Sequence, residues 1–194
     1  MWSLLVSTVV VALAEMGDKT QLLAFVLAAR LKRKGAIALG ILVATLANHF
    51  LAGYAGMFLS TLVAPEVLRW SIALAFLAFG AWALKPDTFE QKRELGKQGV
   101  FLTTVVAFFL VEMGDKTQLA TVALAARYHS LVTVVLGTTL GMMIANVPAV
   151  WLGETLARRV NMQLLRWLAA ALFFLLAILT IVASGKGDKI LFLG

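Results

Sequence analysis

Apolar residues fill this chain in six long stretches, and the polar residues between them fall in short clusters. A helix needs about 20 apolar residues to cross a bilayer. The pattern predicts helical spans near 3–29, 36–62, 66–84, 100–127, 131–156 and 163–184. A polar segment, 85–98, parts the third span from the fourth, and its charges (Lys85, Asp87, Glu90, Lys92, Arg93, Glu94 and Lys97) read as a solvated linker. The tail, 185–194, carries no functional signal.

Two of the apolar stretches are interrupted in the same way. Glu15-Met16-Gly17-Asp18-Lys19-Thr20-Gln21-Leu22 lies in the first, and Glu112-Met113-Gly114-Asp115-Lys116-Thr117-Gln118-Leu119 in the fourth. The copies stand 97 positions apart, half of the 194-residue chain. Leu68-Arg69-Trp70 and Leu165-Arg166-Trp167 repeat at that offset, as do Gly40 and Gly137, while Ala47-Asn48 and Ala145-Asn146 stand 98 apart. The chain therefore reads as one three-span unit used twice: repeat 1 over 1–84, linker 85–98 and repeat 2 over 99–184. Three is odd, so the second copy enters the bilayer from the opposite side, an inverted-topology repeat of the kind found in secondary transporters. The predicted fold class is an all-α membrane protein of six transmembrane helices.

Composition agrees. The chain is 61% apolar and 14% charged, with mean hydropathy +0.93. A soluble domain of this size cannot hide so much apolar surface. The net charge of +7 gathers in short connections, where it reports topology and not nucleic-acid binding. Eleven basic residues (Arg30, Lys32, Arg33, Lys34, Lys85, Lys92, Arg93, Lys97, Arg158, Arg159, Arg166) fall on one predicted face, against Arg69, Arg127, Lys186 and Lys189 on the other. The positive-inside rule places the first face in the cytoplasm and both termini outside. Trp2, Trp70, Trp82, Trp151 and Trp167 fall near span ends, as interfacial anchors do. With no cysteine, disulfides and thiolate metal sites are excluded. Met1-Trp2-Ser3 carries no basic leader, and the acidic motif in the first span argues against a cleaved signal peptide.

The repeated motif is the candidate chemistry. Charged groups in hydrocarbon are costly and by default mark a pathway. Glu15 and Asp18, like Glu112 and Asp115, share a face of a helix at a spacing of three. Each motif starts about a dozen residues into its span, near mid-bilayer at about 1.5 Å per residue. Four carboxylates then converge, the oxygen-rich setting that hard dications prefer. With Lys19 and Lys116 the cluster sums to −2, so one dication, or protons, neutralises it. The bland reading makes Glu15 with Lys19, and Glu112 with Lys116, structural ion pairs at i,i+4.

Neighbouring residues fill out the set. Gly17 and Gly114 let the helix unwind and expose carbonyls, or let two helices cross closely. Gln21 and Gln118 rank above Thr20 and Thr117 as ligands on a continuous helix, where the threonines point away. Asn48 and Asn146, matched polar residues deep in the second and fifth spans, either ligate the ion or bond between helices. His49 has no counterpart, because Val147 follows Asn146, and it reads as a structural or pore-facing histidine ahead of a proton relay. Pro148 is expected to kink the fifth span. No enzyme signature is present, neither metalloprotease, nor hydrolase elbow, nor phosphate loop.

The doubled Glu-x-Gly-Asp-Lys-Thr, on the first and fourth of six spans, resembles the hallmark of the Ca²⁺/cation antiporter-2 family, which includes human transmembrane protein 165 and bacterial manganese exporters. The resemblance spans the whole chain. It implies transport of Mn²⁺ or Ca²⁺ in exchange for protons, with Glu15, Asp18, Glu112 and Asp115 as site residues. The short loops look prokaryotic, which favours Mn²⁺ export across an inner membrane. The expected partners are thus divalent cations and the lipid bilayer, with a homo-oligomer open. The rivals are a Ca²⁺/H⁺ exchanger on the same scaffold, an exporter of small cationic metabolites, and a metal-binding sensor or assembly protein that transports nothing.

Overall fold

The structure, a computed structural model, describes residues 1–85, 99–152 and 161–182. Most of the linker, with Lys92, Arg93 and Lys97, lies outside them, as do Arg158, Arg159 and the tail. The described residues form eight helices and no strand: α1 (Trp2–Glu15), α2 (Lys19–Leu31), α3 (Lys34–Leu62), α4 (Pro65–Ala83), α5 (Val100–Glu112), α6 (Lys116–Tyr128), α7 (Leu131–Leu152) and α8 (Met162–Val182). Four of them, α3, α4, α7 and α8, are long and apolar enough to cross a membrane. The outward surface is itself apolar, with Leu39, Phe50, Phe58, Leu74, Ile144 and Ile178 all exposed.

The first and fourth spans are not the continuous helices that the spacing predicts. Each is two helices joined at its motif, α1 to α2 and α5 to α6. The cause is local and the same twice. Met16 and Met113 turn to extended backbone, Gly17 and Gly114 follow at φ 83° and 77°, and Asp18 and Asp115 return to extended backbone as N-caps of α2 and α6. Only glycine enters the left-handed region cheaply. A broken helix leaves backbone donors without partners, which hydrocarbon does not tolerate. Here the glutamine four residues on supplies the partner: Gly17 N–H donates to Gln21 Oε1 at 2.9 Å, and Gly114 N–H to Gln118 Oε1 at 2.6 Å.

Packing follows the repeat. α1 lies chiefly on α7 and α5 on α3, so the first helix of each half seats on the long helix of the other. Close approach is built in at matched positions: a Cβ on Gly137 would meet Leu4 O at 2.6 Å, and one on Gly40 would meet Thr104 Cβ at 2.7 Å. Helices α3 and α7 run antiparallel. Ser60 Oγ lies 3.2 Å from His129 Nδ1 and Ser3 Oγ 2.9 Å from Thr133 Oγ1 on one face, while Lys34 Nζ reaches Trp151 O at 3.0 Å on the other. Pro148 sits inside α7, which the structure holds as one helix.

Two apolar cores result. Leu23, Leu27, Ile37, Ile41 and Phe108 close one among α2, α3, α5 and α7 on the Lys34 side. The other, on the Ser60 side, joins α1 and α6 to a pair formed by α4 and α8, which Phe76, Phe79 and Phe173 tie together with ring centroids 5.9–6.5 Å apart. The α4/α8 pair thus seats on α1 and α6, and the site lies between the two cores.

Candidate cation site

Breaking both helices at one level brings two helix ends and two helix starts into the buried interior. Glu15 ends α1 and Glu112 ends α5; Asp18 and Asp115 cap α2 and α6. All four carboxylates are buried, none more than 1% exposed. One oxygen each of Glu15, Asp18 and Asp115 lie within 4.8 Å of one another, close enough to hold one ion, whereas Glu112, the fourth carboxylate expected there, is not part of that group. The N-terminal dipoles of α2 and α6 favour the aspartate charges where they sit.

Each lysine pairs with the aspartate of the other motif. Lys116 Nζ donates to Asp18 Oδ1, and Lys19 Nζ lies 2.8 Å from Asp115 Oδ1, so each half lends its cation to the other half's aspartate. Lys116 is buried and Lys19 is about a quarter exposed, its side chain at 27%. The i,i+4 pairing with Glu15 and Glu112 needs an unbroken helix, and that helix is absent here.

The contacts of the two glutamates differ. Asn146 Nδ2 donates to Glu15 Oε1 at 3.4 Å and to Met142 O at 3.1 Å. Glu112 Oε1 accepts from Thr117 Oγ1 at 2.7 Å and stands 3.5 Å from His49 Nε2. The second oxygen of each glutamate, and Asn146 Oδ1, have no hydrogen-bond partner among the described residues. These buried acceptors are open to a cation.

Of the other expected ligands, the glutamines are engaged elsewhere. Their oxygens cap the glycines, Gln21 Nε2 donates to Ala145 O at 3.0 Å, and Gln118 Nε2 donates to Asn48 Oδ1. Asn48 also donates to Phe109 O at 3.3 Å, so it braces the break of the second motif. Thr117 has moved onto the site, 3.4 Å from Asp115 Oδ2 as well, because the break rotates it inward. Thr20 is fully buried, its hydroxyl without a partner among the described residues. Sequence spacing missed the crossed lysines and the glutamine caps; a glycine flanked by a helix-capping aspartate was the signal for the second.

A shallow recess leads from the site toward the end of α4 and the start of α8, lined by Met16, Gly17, Asp18, Ala83, Lys116 and also Lys85 and Arg166. It opens on the Lys34 side, where α4 and α8 part from the core that α2 and α5 share.

A family model described as "Divalent cation/proton antiporter GDT1" matches residues 3–91 and again 100–188. Its two matches begin 97 residues apart, the offset of the internal repeat. A Vibrio cholerae protein named "Putative manganese exporter" is 43% identical over 178 residues, 91% of this chain and 89% of that one. The "GDT1-like protein sll0615" of Synechocystis is 27% identical over 192 residues, covering 88% and 92%. The "GDT1-like protein 3" of Arabidopsis thaliana is 25% identical over 191 residues, covering 84% and 64%. No solved structure matches the chain.

Proposed function

The chain belongs to the GDT1 family of divalent cation/proton antiporters, and from that premise we propose that it exports Mn²⁺ across a bacterial inner membrane in exchange for protons carried by its buried carboxylate cluster. It is an integral membrane transporter of divalent cations. The substrate is Mn²⁺ because the Vibrio cholerae relative's name gives manganese export, and the oxygen-rich site suits that ion.

The observation that carries the mechanism is the crossed pairing. Lys116 and Lys19 meet the charge of Asp18 and Asp115, so the cluster's formal −2 rests on Glu15 and Glu112. Bare charge in a membrane interior is costly. Two protons, or one dication, remove it, and the two states exclude each other at Glu15, whose oxygens serve both. An ion entering among Glu15, Asp18 and Asp115 displaces protons, and protons entering displace the ion. The lysines act as tethered cations that keep the aspartates compensated while the cargo leaves.

In this reading the six spans form two inverted three-helix repeats, 1–84 and 99–184, with both termini outside. The recess beside Lys85 and Arg166 is then the cytoplasmic entrance, and the α4/α8 pair closed on α1 and α6 is the outer seal. Swapping the pair onto α2 and α5, which the repeat relates to α6 and α1, opens the other side. Arg127 belongs to that seal: it is buried and donates to Leu176 O at 3.2 Å and to Thr180 Oγ1 of α8, whereas its repeat mate Arg30 is exposed.

The deciding experiment is flux in liposomes of purified protein. Mn²⁺ movement should run against its gradient when a pH gradient is imposed, and acidification or alkalinisation of the lumen should accompany it. Ca²⁺ flux in place of Mn²⁺ would reassign the cargo to the Ca²⁺/H⁺ alternative. Mn²⁺ movement indifferent to the pH gradient would overturn antiport.

A further inference from the structure

The two halves are not chemically equal at the site. Asn48 on α3 and Asn146 on α7 are repeat mates, yet the next residue is His49 in one half and Val147 in the other. His49 is fully buried. Its Nε2 points at Glu112 Oε1 from 3.5 Å, and neither ring nitrogen makes a hydrogen bond among the described residues. A buried polar group without a partner calls for an explanation, and packing alone does not supply one, since valine serves at the mate position. Beside it, Glu112 Oε2 is a second buried atom without a partner.

We propose that His49 is a cargo ligand, giving one imidazole nitrogen to the ion alongside Glu112, and that it sets the preference of this transporter for first-row transition dications over Ca²⁺ and Mg²⁺. This rests on the reading above that Glu112 belongs to the cation path. Donors on adjacent corners of an octahedron of about 2.1 Å radius lie about 3 Å apart, so the observed pair needs only a small shift to share an ion. An all-oxygen site suits Mg²⁺, Ca²⁺ and Mn²⁺ alike, whereas imidazole nitrogen suits transition ions and adds nothing for Ca²⁺. Glu15, Asp18 and Asp115 supply oxygen alone. His49, set against Glu112, adds the nitrogen donor that distinguishes the two classes. The same logic extends the cargo: nitrogen affinity grows from Mn²⁺ through Fe²⁺ to Co²⁺, so those ions should compete with Mn²⁺.

Electron spin-echo measurements on Mn²⁺ bound to the full chain in lipid nanodiscs test this directly. Wild type should show the nuclear modulation of a directly bound imidazole nitrogen. His49→Val, which copies the other half, and His49→Gln, which keeps polarity, should both lose it. In both variants the Mn²⁺ over Ca²⁺ binding preference should drop on the order of tenfold. Saturable Mn²⁺ binding by wild type with no nitrogen modulation overturns this inference and leaves the carboxylate site standing. Modulation and preference that survive in His49→Val overturn it too. Wild-type protein that binds no Mn²⁺ at all sinks both this inference and the transport reading beneath it.

Discussion

Lys116 of the second motif donates to Asp18 of the first, and the return contact, Lys19 to Asp115, spans 2.8 Å. Each half completes the other's charge, so neither motif is a self-contained unit. Lys116→Met should leave Asp18 buried without its cation and destabilise the protein by about 3–5 kcal/mol. Adding Asp18→Asn to Lys116→Met should recover most of that loss. Mn²⁺ should also raise the melting temperature of Lys116→Met more than that of wild type, because the ion replaces the missing charge. Thermal unfolding in detergent of wild type, Lys116→Met, Asp18→Asn and the double variant checks the cycle. Equal melting temperatures for wild type and Lys116→Met would show that the pair is idle.

The helix break should be testable apart from the ion. A Cβ on Gly114 meets no atom within 4 Å, so Gly114→Ala suffers only the left-handed φ of 77°. The expected loss is about 1–2 kcal/mol. Gln118→Leu removes the acceptor of Gly114 N–H and a donor to Asn48, and should cost about 1–3 kcal/mol. Both changes keep all four carboxylates in the chain, yet both should slow transport by shifting Asp115. A Gly114→Ala protein as stable and as active as wild type would mean that the break reseals into a plain helix.

These breaks mark where the sequence stopped being readable. The long spans, the doubled motif and the buried carboxylates followed from hydropathy and repetition, because burial of apolar stretches is a property of composition. The placement of Glu15 and Asp18 together was expected from an i,i+3 spacing, but it arises from a glycine in the left-handed region and an aspartate cap. Thr117 changed sides for the same reason. The lysine partners lie 98 and 96 positions away in sequence, and no local pattern encodes a contact at that range. His49 could be noted as an odd residue against Val147, but only the fold brings it to Glu112.

The seal proposed at the α4/α8 pair predicts a labelling experiment. Ala177 on α8 is fully buried in the core that α1, α4, α6 and α8 share, and the natural chain has no cysteine. Ala177→Cys should resist a membrane-impermeant thiol reagent added outside. Adding Arg127→Ala frees Leu176 O and Thr180 and should raise labelling several-fold, as the outward-open population grows. Arg30→Ala, at the exposed repeat mate, should not raise it. Labelling that ignores Arg127 would remove it from the gate.

Proton coupling makes the sharpest numerical claim. Metal binds the deprotonated carboxylates, so raising pH must strengthen binding, and lowering pH must weaken it. If the cluster surrenders two protons to the ion, apparent Mn²⁺ affinity should rise by up to about a hundredfold per pH unit, and about two protons should appear per ion bound in weakly buffered medium. Glu15→Gln keeps the shape but removes one of the two exchangeable charges. Its slope should fall to about tenfold per unit, with about one proton released. Transport should collapse in that variant, since a bound dication then leaves the cluster one charge too positive and the exchange no longer balances. Asp18→Asn should differ, because it leaves Lys116 without its counter-charge beside the ion. Calorimetry in two buffers of different ionisation enthalpy separates metal binding from proton release. A Glu15→Gln slope equal to that of wild type would mean that the protons come from elsewhere, and Glu15 would then be a ligand only.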